Sequence, residues 1–251
     1  MATAVATPGS STKSSIAVPG RRYDHLFFSG MALAMLATVF VGFAHTYYLA
    51  GVFKAPLPDL LIHVHGAAFS CWILLLVTQT SLVSAGRVDI HRRLGIAGFL
   101  LGCAMVILGV LAATDSLARS AGPPGRDVQA FYIIPMMNMV TFAALLYFAF
   151  GARRDPAAHK RLICIATISL LIAAIARWPL PIVQGKAMIA ALFSYIFLAI
   201  LAAYDLWSTR KVHRVTLWAG AFVIVLQQIC YPIGSTAAWH AVASRVQSLA
   251  R

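Results

Sequence analysis

Nearly all the charged residues of this chain lie in short segments between seven long apolar stretches, and that placement limits the fold more than any motif. The stretches cover about 26–47, 61–83, 94–114, 129–150, 162–183, 187–206 and 215–238. About 20 apolar residues in helical form span the roughly 30 Å hydrocarbon layer of a bilayer. Backbone groups in lipid find hydrogen-bond partners only within a helix or a closed barrel, and no alternating ten-residue strands occur. The expected fold class is therefore all-α, a polytopic seven-transmembrane-helix bundle over 23–240. Residues 1–22 are expected to be a disordered tail, and 241–251 a C-terminal tail. Read with these boundaries, charges are expected outside the stretches, with Arg177 the exception at the edge of the fifth.

Of 251 residues, 61% are hydrophobic and 11% charged, against about 25% charged in a soluble domain. The net charge of +13 does not indicate nucleic acid, because the basic residues are divided among loops. Their expected partners are anionic lipid headgroups. Lys and Arg are biased to the N-terminal side of the bundle: Lys13, Arg21, Arg22, Arg87, Arg92, Arg93, Arg153, Arg154, Lys160, Arg161, Arg210, Lys211 and Arg214 are 13 of the 20. Positive-inside bias then puts the N-terminus in the cytoplasm and the C-terminus in the periplasm. Cys71, Cys103, Cys164 and Cys230 all fall in apolar stretches and read as buried, unreactive thiols.

Three hairpins on the basic side repeat a pattern of an upstream Arg, then His followed by Arg or Lys: GRVDIHRRLG (86–95), RRDPAAHKRL (153–162) and TRKVHRV (209–215). Charge bias accounts for the arginines and leaves the recurring His unexplained; a headgroup or docking contact is one use for it. Asp155 followed by Pro156 is an N-cap and first-turn pair. Gly95, Gly98, Gly102 and Gly109 fall on one helix face, which predicts close helix packing within the bundle, with a homodimer interface as the alternative.

The candidate ligands lie at the opposite rim. His45 ends the first stretch and His63 and His65 open the second, joined by KAPLPD (54–59). Neutral imidazole ligates transition metals and haem iron. His45, His63 and His65 are thus candidate metal ligands, for haem b or for copper or zinc near the periplasmic face. Residues 63 and 65 lie about 200° apart around a helix. His65 shares a stripe with Phe69, Trp72, Leu76 and Gln79 and is the ring expected to face inward. Arg177 is a candidate counter-ion, to Asp59, Asp115 or a ligand carboxylate. The competing account is that these are interfacial histidines touching headgroups and carbonyls, with Arg177 snorkelling.

Asn138, Gln227 and Gln228 fall near the middle of their helices. They are expected either to line a polar cavity or to hydrogen-bond helices together. The chain has no Glu, and its sequence shows no triad order, phosphate loop or paired carboxylates. Three functions fit these residues: a haem- or metal-binding protein for electron transfer or cofactor handling, a small-molecule carrier, and a scaffold subunit of a larger membrane complex.

Residues 63–95, with RRDPAAHKRL and AIARWPLP (174–181), resemble a group of bacterial multi-helix inner-membrane proteins. The resemblance implies the fold and an inner-membrane location and assigns no site residue. A fainter resemblance connects the helix-end histidines with haem-handling membrane proteins.

Overall fold

The structure, a computed structural model, describes residues 23–56, 58–123 and 125–251. The N-terminal tail expected to be disordered lies outside the described residues. Among them there are helices and no strand. These are α1 (Asp24–Phe43), which continues as a π-helical turn (Ala44–Tyr48), α2 (Ala50–Phe53), α3 (Leu60–Ser84), α4 (Val88–Ala118), α5 (Val128–Gly151), α6 (Pro156–Ile175), α7 (Ala187–Thr209), α8 (Arg214–Gly234) and α9 (Ala237–Ala250). Seven of them, α1 and α3 to α8, are long and apolar enough to cross a membrane.

Local chemistry sets the helix ends. Asp155 caps α6 by accepting from Ala157 N at 3.0 Å and Ala158 N at 3.2 Å, with Pro156 at the first position. Asp59 caps α3 through Ile62 N at 3.0 Å, and Asp127 caps α5 through Gln129 N at 2.9 Å and Ala130 N at 3.3 Å. Helix α6 stops at Ile175, eight residues short of the apolar stretch. Pro179 and Pro181 prevent its continuation, and residues 176–178 close with tighter turns such as Arg177 N to Ala174 O at 3.0 Å.

Helix α6 is the axis of the bundle. Its apolar window is 72% buried, against 11–44% for the other spans. It packs against α1, α5, α7 and α8, while α3 lies on α1 and α4, and α4 on α5. Ile165, Ile168, Leu171 and Ile175 of α6 are completely covered. Where α1 crosses α6, Gly42 lies so close to Ala174 that a Cβ there would overlap its carbonyl oxygen. The glycine face of α4 packs inside the bundle, as expected: a Cβ on Gly98 would meet Leu75, one on Gly102 would meet Leu146 and Trp72, and one on Gly109 would meet Met139.

Two charges lie deeper than the sequence reading placed them. Asp205, in the last turns of the sixth apolar stretch, has no exposed surface, and Arg161 of α6 is 3% exposed. Arg161 grips Asp205 with Nε at 3.0 Å and with Nη2, and gives Nη1 to Ala157 O at 2.8 Å. The other carboxylate oxygen accepts from Thr216 Oγ1 at 2.6 Å and His213 N at 3.1 Å. The start of α6, the end of α7 and the start of α8 are thereby tied at one end of the bundle. A second ionic link, between Lys160 and Asp24, adds the start of α1. These links require α6, α7 and α8 to alternate in direction, with α1 starting at the same end as α6. Cys71 and Cys103 are exposed, because they face away from the bundle; Cys164 and Cys230 are buried, and all four are free thiols.

Two stability outcomes follow. Gly42→Ala must push α1 off α6 and is expected to cost about 1–3 kcal/mol, whereas Gly30→Ala, with nothing within 4 Å of its Cβ, should be neutral or stabilising by up to about 1 kcal/mol. Asp205→Leu strands a buried guanidinium and should cost about 3–5 kcal/mol; adding Arg161→Met should recover much of the loss. Thermal unfolding of the detergent-solubilised variants measures both.

Candidate functional site

Each of the three candidate histidines rests on an aromatic neighbour. The π-helical turn that ends α1 changes the angular position of the residues within it. His45 is exposed, and its ring stacks on Phe53 at 3.7 Å. His63 is also exposed and leans on Tyr47 at 5.4 Å. His65 is half-buried against Phe69 at 4.3 Å, with Nδ1 covered and unpartnered. Among the described residues, no group of three His, Cys or Asp side chains is placed to hold a metal ion. Arg177 meets neither proposed carboxylate. It donates to Ala173 O at 2.7 Å and lies 4.9 Å over the Phe43 ring, while Asp59 and Asp115 both pair with Arg119.

Asn138, Gln227 and Gln228 join helices rather than line the principal cavity. Gln227 Nε2 donates to Asn138 Oδ1 at 3.5 Å and to Ser169 O at 3.1 Å, which connects α8 with α5 and α6. Gln228 points elsewhere and donates to Tyr195 OH of α7 at 2.9 Å.

The polar groups that do converge are at the basic end. A cavity of about 530 Å³ opens there among α1, α3, α4, α5 and α6. Its inner part is apolar, with Met31, Met35, Trp72 and Leu76 on its lining, all buried. The stripe predicted to face protein supplies one wall, through Trp72, Leu76 and Gln79. Gly95 and Gly98 of α4 border it, so the glycine face both admits close packing and leaves space. Lining residues Val83 and Ser84 at the end of α3, and His25 of α1, are exposed, which places the mouth at the end of the bundle.

Gln79, His91, His159, Lys160 and Asp24 lie on the polar part of this lining. His91 and His159 are the recurring histidines of the first two basic hairpins. Their rings meet edge to face, 6.4 Å apart at 85°. His159 Nδ1 lies 2.8 Å from Ala149 O; a carbonyl only accepts, so Nδ1 carries the proton and Nε2 of the neutral ring is an acceptor. Gln79 Nε2 donates to His91 O at 3.3 Å. Gln79 Oε1 and His91 Nδ1 are buried with no partner, and an unmet buried polar atom costs about 1–3 kcal/mol. Lys160 and Asp24 satisfy each other, with Tyr204 OH donating to Asp24 at 2.6 Å and the Lys160 ammonium 4.9 Å above the Phe28 ring.

The third recurring histidine has a structural task. His213 caps α8, its Nδ1 accepting from Val215 N at 3.2 Å. Burial lowers its pKa below the usual histidine value, which favours the neutral ring that the cap requires.

Sequence reasoning missed this site because its residues are up to 136 positions apart. The available signal was the repeated His in the hairpins, which charge bias does not explain. Comparison of the chain with protein-family models, characterised proteins and solved structures gives no match, so the resemblance drawn from residues 63–95 rests on those residues alone.

At the far end, α9 forms a lid over α4 and α5. Trp239 Nε1 donates to Gln129 O at 2.8 Å, Gln247 Nε2 donates to Leu117 O at 2.8 Å, and Ala243 is completely covered. His240 Nε2 meets Asp127 Oδ2 at 2.7 Å. That bond raises the His240 pKa above 6.5 and lowers that of Asp127 below 3.8. A histidine raised on folding lends stability that is complete below pH 6.5 and is lost as pH rises through its folded value. An aspartate depressed on folding lends stability that is complete above pH 3.8 and is lost as pH falls through its folded value. The docking of α9 should therefore be tightest between about pH 4 and 6.5. Hydrogen exchange of α9 amides, corrected for intrinsic rates, should show weaker protection in mildly alkaline than in mildly acidic buffer, and His240→Ala should remove the difference.

Proposed function

We propose that this chain is a multi-pass membrane protein that holds a lipophilic small molecule in the cavity at its basic end. In this reading the apolar part of the molecule lies beside Met35 and Trp72, and its head lies at Gln79, His91 and His159. The observation that carries the reading is a cavity of about 530 Å³ with an apolar interior and with Gln79, His91, His159 and Lys160 along one part of its lining. Ligand sites have this composition, mostly apolar with a few convergent polar groups that fix orientation. Such a site serves a carrier, or a subunit that presents a membrane-soluble molecule to a larger complex.

The excess of Lys and Arg at the same end supports a cytoplasmic N-terminus and a mouth facing the cytoplasmic leaflet, in a plasma membrane of bacterial type. Arg92, Arg93, Arg153 and Arg154 are exposed there, next to the level at which anionic headgroups attract cations. The partners proposed are lipids and the ligand, with no role for nucleic acid.

Photolabelling tests the reading. A diazirine-bearing alkyl probe added to protein in lipid nanodiscs should label peptides containing Met31, Met35 and Trp72. Gly95→Leu fills the cavity beside Gln79 Nε2, the nearest atom at 3.5 Å from a Cβ there, and should abolish that labelling without unfolding the bundle. Labelling confined to outward-facing residues such as Leu100 and Ile107, in wild type and variant alike, would overturn the proposal.

A further inference from the structure

A second cavity, of about 500 Å³, opens at the other end of the bundle, where α5 and α7 start and α8 ends. Its volume is within the range of small-molecule sites, about 300–1,000 Å³. Helices α5 and α7 each pack against α8, and all three supply its wall. Phe131 and Ile134 come from α5, Met188 and Ile189 from α7, and Cys230 from α8. Met188 is exposed, and Phe131, Ile134 and Ile189 are half-buried, so this apolar wall is reached from outside the bundle.

Two cations stand on the lining of the same cavity. Arg126 precedes the Asp127 cap of α5, and Lys186 precedes the first residue of α7. Both are exposed, and neither forms an ion pair among the described residues. The chain cannot supply their counter-charge. It has no Glu and seven Asp. Asp127, on this lining, is engaged by His240 and by the α5 cap. Asp24, Asp59, Asp89, Asp115 and Asp205 pair with other cations, and Asp155 caps α6 at the basic end.

An apolar wall at the end of membrane-spanning helices, with two uncompensated cations at its rim, matches an amphiphile with a negative head. Basic pockets between such helices bind anionic lipid headgroups. A soluble anion would leave the apolar wall unused. A zwitterionic head brings its own cation to a rim that already has two. We propose that this cavity binds one anionic phospholipid from the leaflet at that end, with an acyl chain along Phe131, Ile134 and Met188 and the phosphate at Arg126 and Lys186. The site is separate from the cavity at the basic end, and neither reading depends on the other.

The test is native mass spectrometry of the full-length protein, titrated in detergent with dioleoyl phosphatidylglycerol or dioleoyl phosphatidylcholine. The two lipids share their chains and differ in head charge. At about fivefold per cation near the membrane surface, two cations predict a preference of roughly 25-fold for phosphatidylglycerol in the first binding step. Arg126→Gln combined with Lys186→Gln should bring that ratio toward one at an unchanged thermal midpoint, because both side chains lie outside the spans. Arg92→Gln combined with Arg93→Gln, at the basic end, should leave the ratio as it is. Equal binding of the two lipids by the unmodified protein would overturn the proposal, whether or not a variant folds. A ratio that falls only when Arg92 and Arg93 are changed would place the bound lipid at the basic end and overturn it as well. Displacement of phosphatidylglycerol by excess inorganic phosphate would overturn the lipid as occupant in favour of a free anion.

Discussion

The buried pairing of Arg161 with Asp205 organises one end of this molecule. An isolated charge has a large cost in a low-dielectric interior, and this pair avoids it by near-complete satisfaction. One carboxylate oxygen is engaged by the guanidinium, and the other takes the Thr216 hydroxyl and the His213 amide. The geometry needs three helix ends in register. Such a pair need not add net stability over an apolar replacement. It does exclude packings in which α6, α7 and α8 slide past one another, since any slide separates a buried charge from its partner. Lys160, the next residue in α6, extends the tie to Asp24 and α1. Four helix ends are fixed by two adjacent side chains.

That fixing is what gives the cavity a defined mouth. Pro156, His159, Lys160, Ile163 and Cys164 of α6 all line it, and α6 is itself held by the charge pair. Helices α3 and α4 contribute the opposite wall, where glycines replace bulk. The floor forms where α1 and α3 close on α6, through Met35 and Trp72, the latter donating from Nε1 to Thr167 Oγ1 at 3.2 Å. The cavity thus lies between a part of the bundle pinned by ions and a part packed by apolar side chains, and its polar wall is at the boundary of the two.

The spans, their number and several of their ends were legible from residues alone. Long apolar runs have few folds open to them in lipid, and Asp155 with Pro156 marks a start as clearly in sequence as in structure. The glycine face of α4 was legible too, because helical periodicity is local. Long-range contacts were harder to read. His45, His63 and His65 are close in sequence, and a short connection appeared to bring them together. In the structure each ring rests on its own aromatic neighbour, and His45 lies in a π turn that no periodic rule signals. Trp178, at the end of the fifth stretch, donates from Nε1 to Thr38 O at 3.2 Å. Asp205 lies within the sixth stretch, yet position along a helix does not by itself tell exposure. Direction around the helix decided it, and direction depends on which neighbour offers a guanidinium.

Polar side chains in an apolar bundle are informative when their partners are counted. Arg161, Asp205, Asp24 and Lys160 have partners, and these satisfied groups hold the fold. Asn138 and Gln228 are bonded across helices, although Gln227 Oε1 remains unmet in the helix core. The unmet atoms of Gln79 and His91 differ from it in their surroundings, for both belong to side chains that line a space large enough for a molecule. Packing alone gives no reason for such atoms beside such a space, because an apolar residue at position 79 would remove part of the cost. The same accounting separates the two sets of histidines. The rings at the far rim rest on aromatic neighbours, whereas His91 and His159, from different hairpins, meet edge to face on the lining of one cavity.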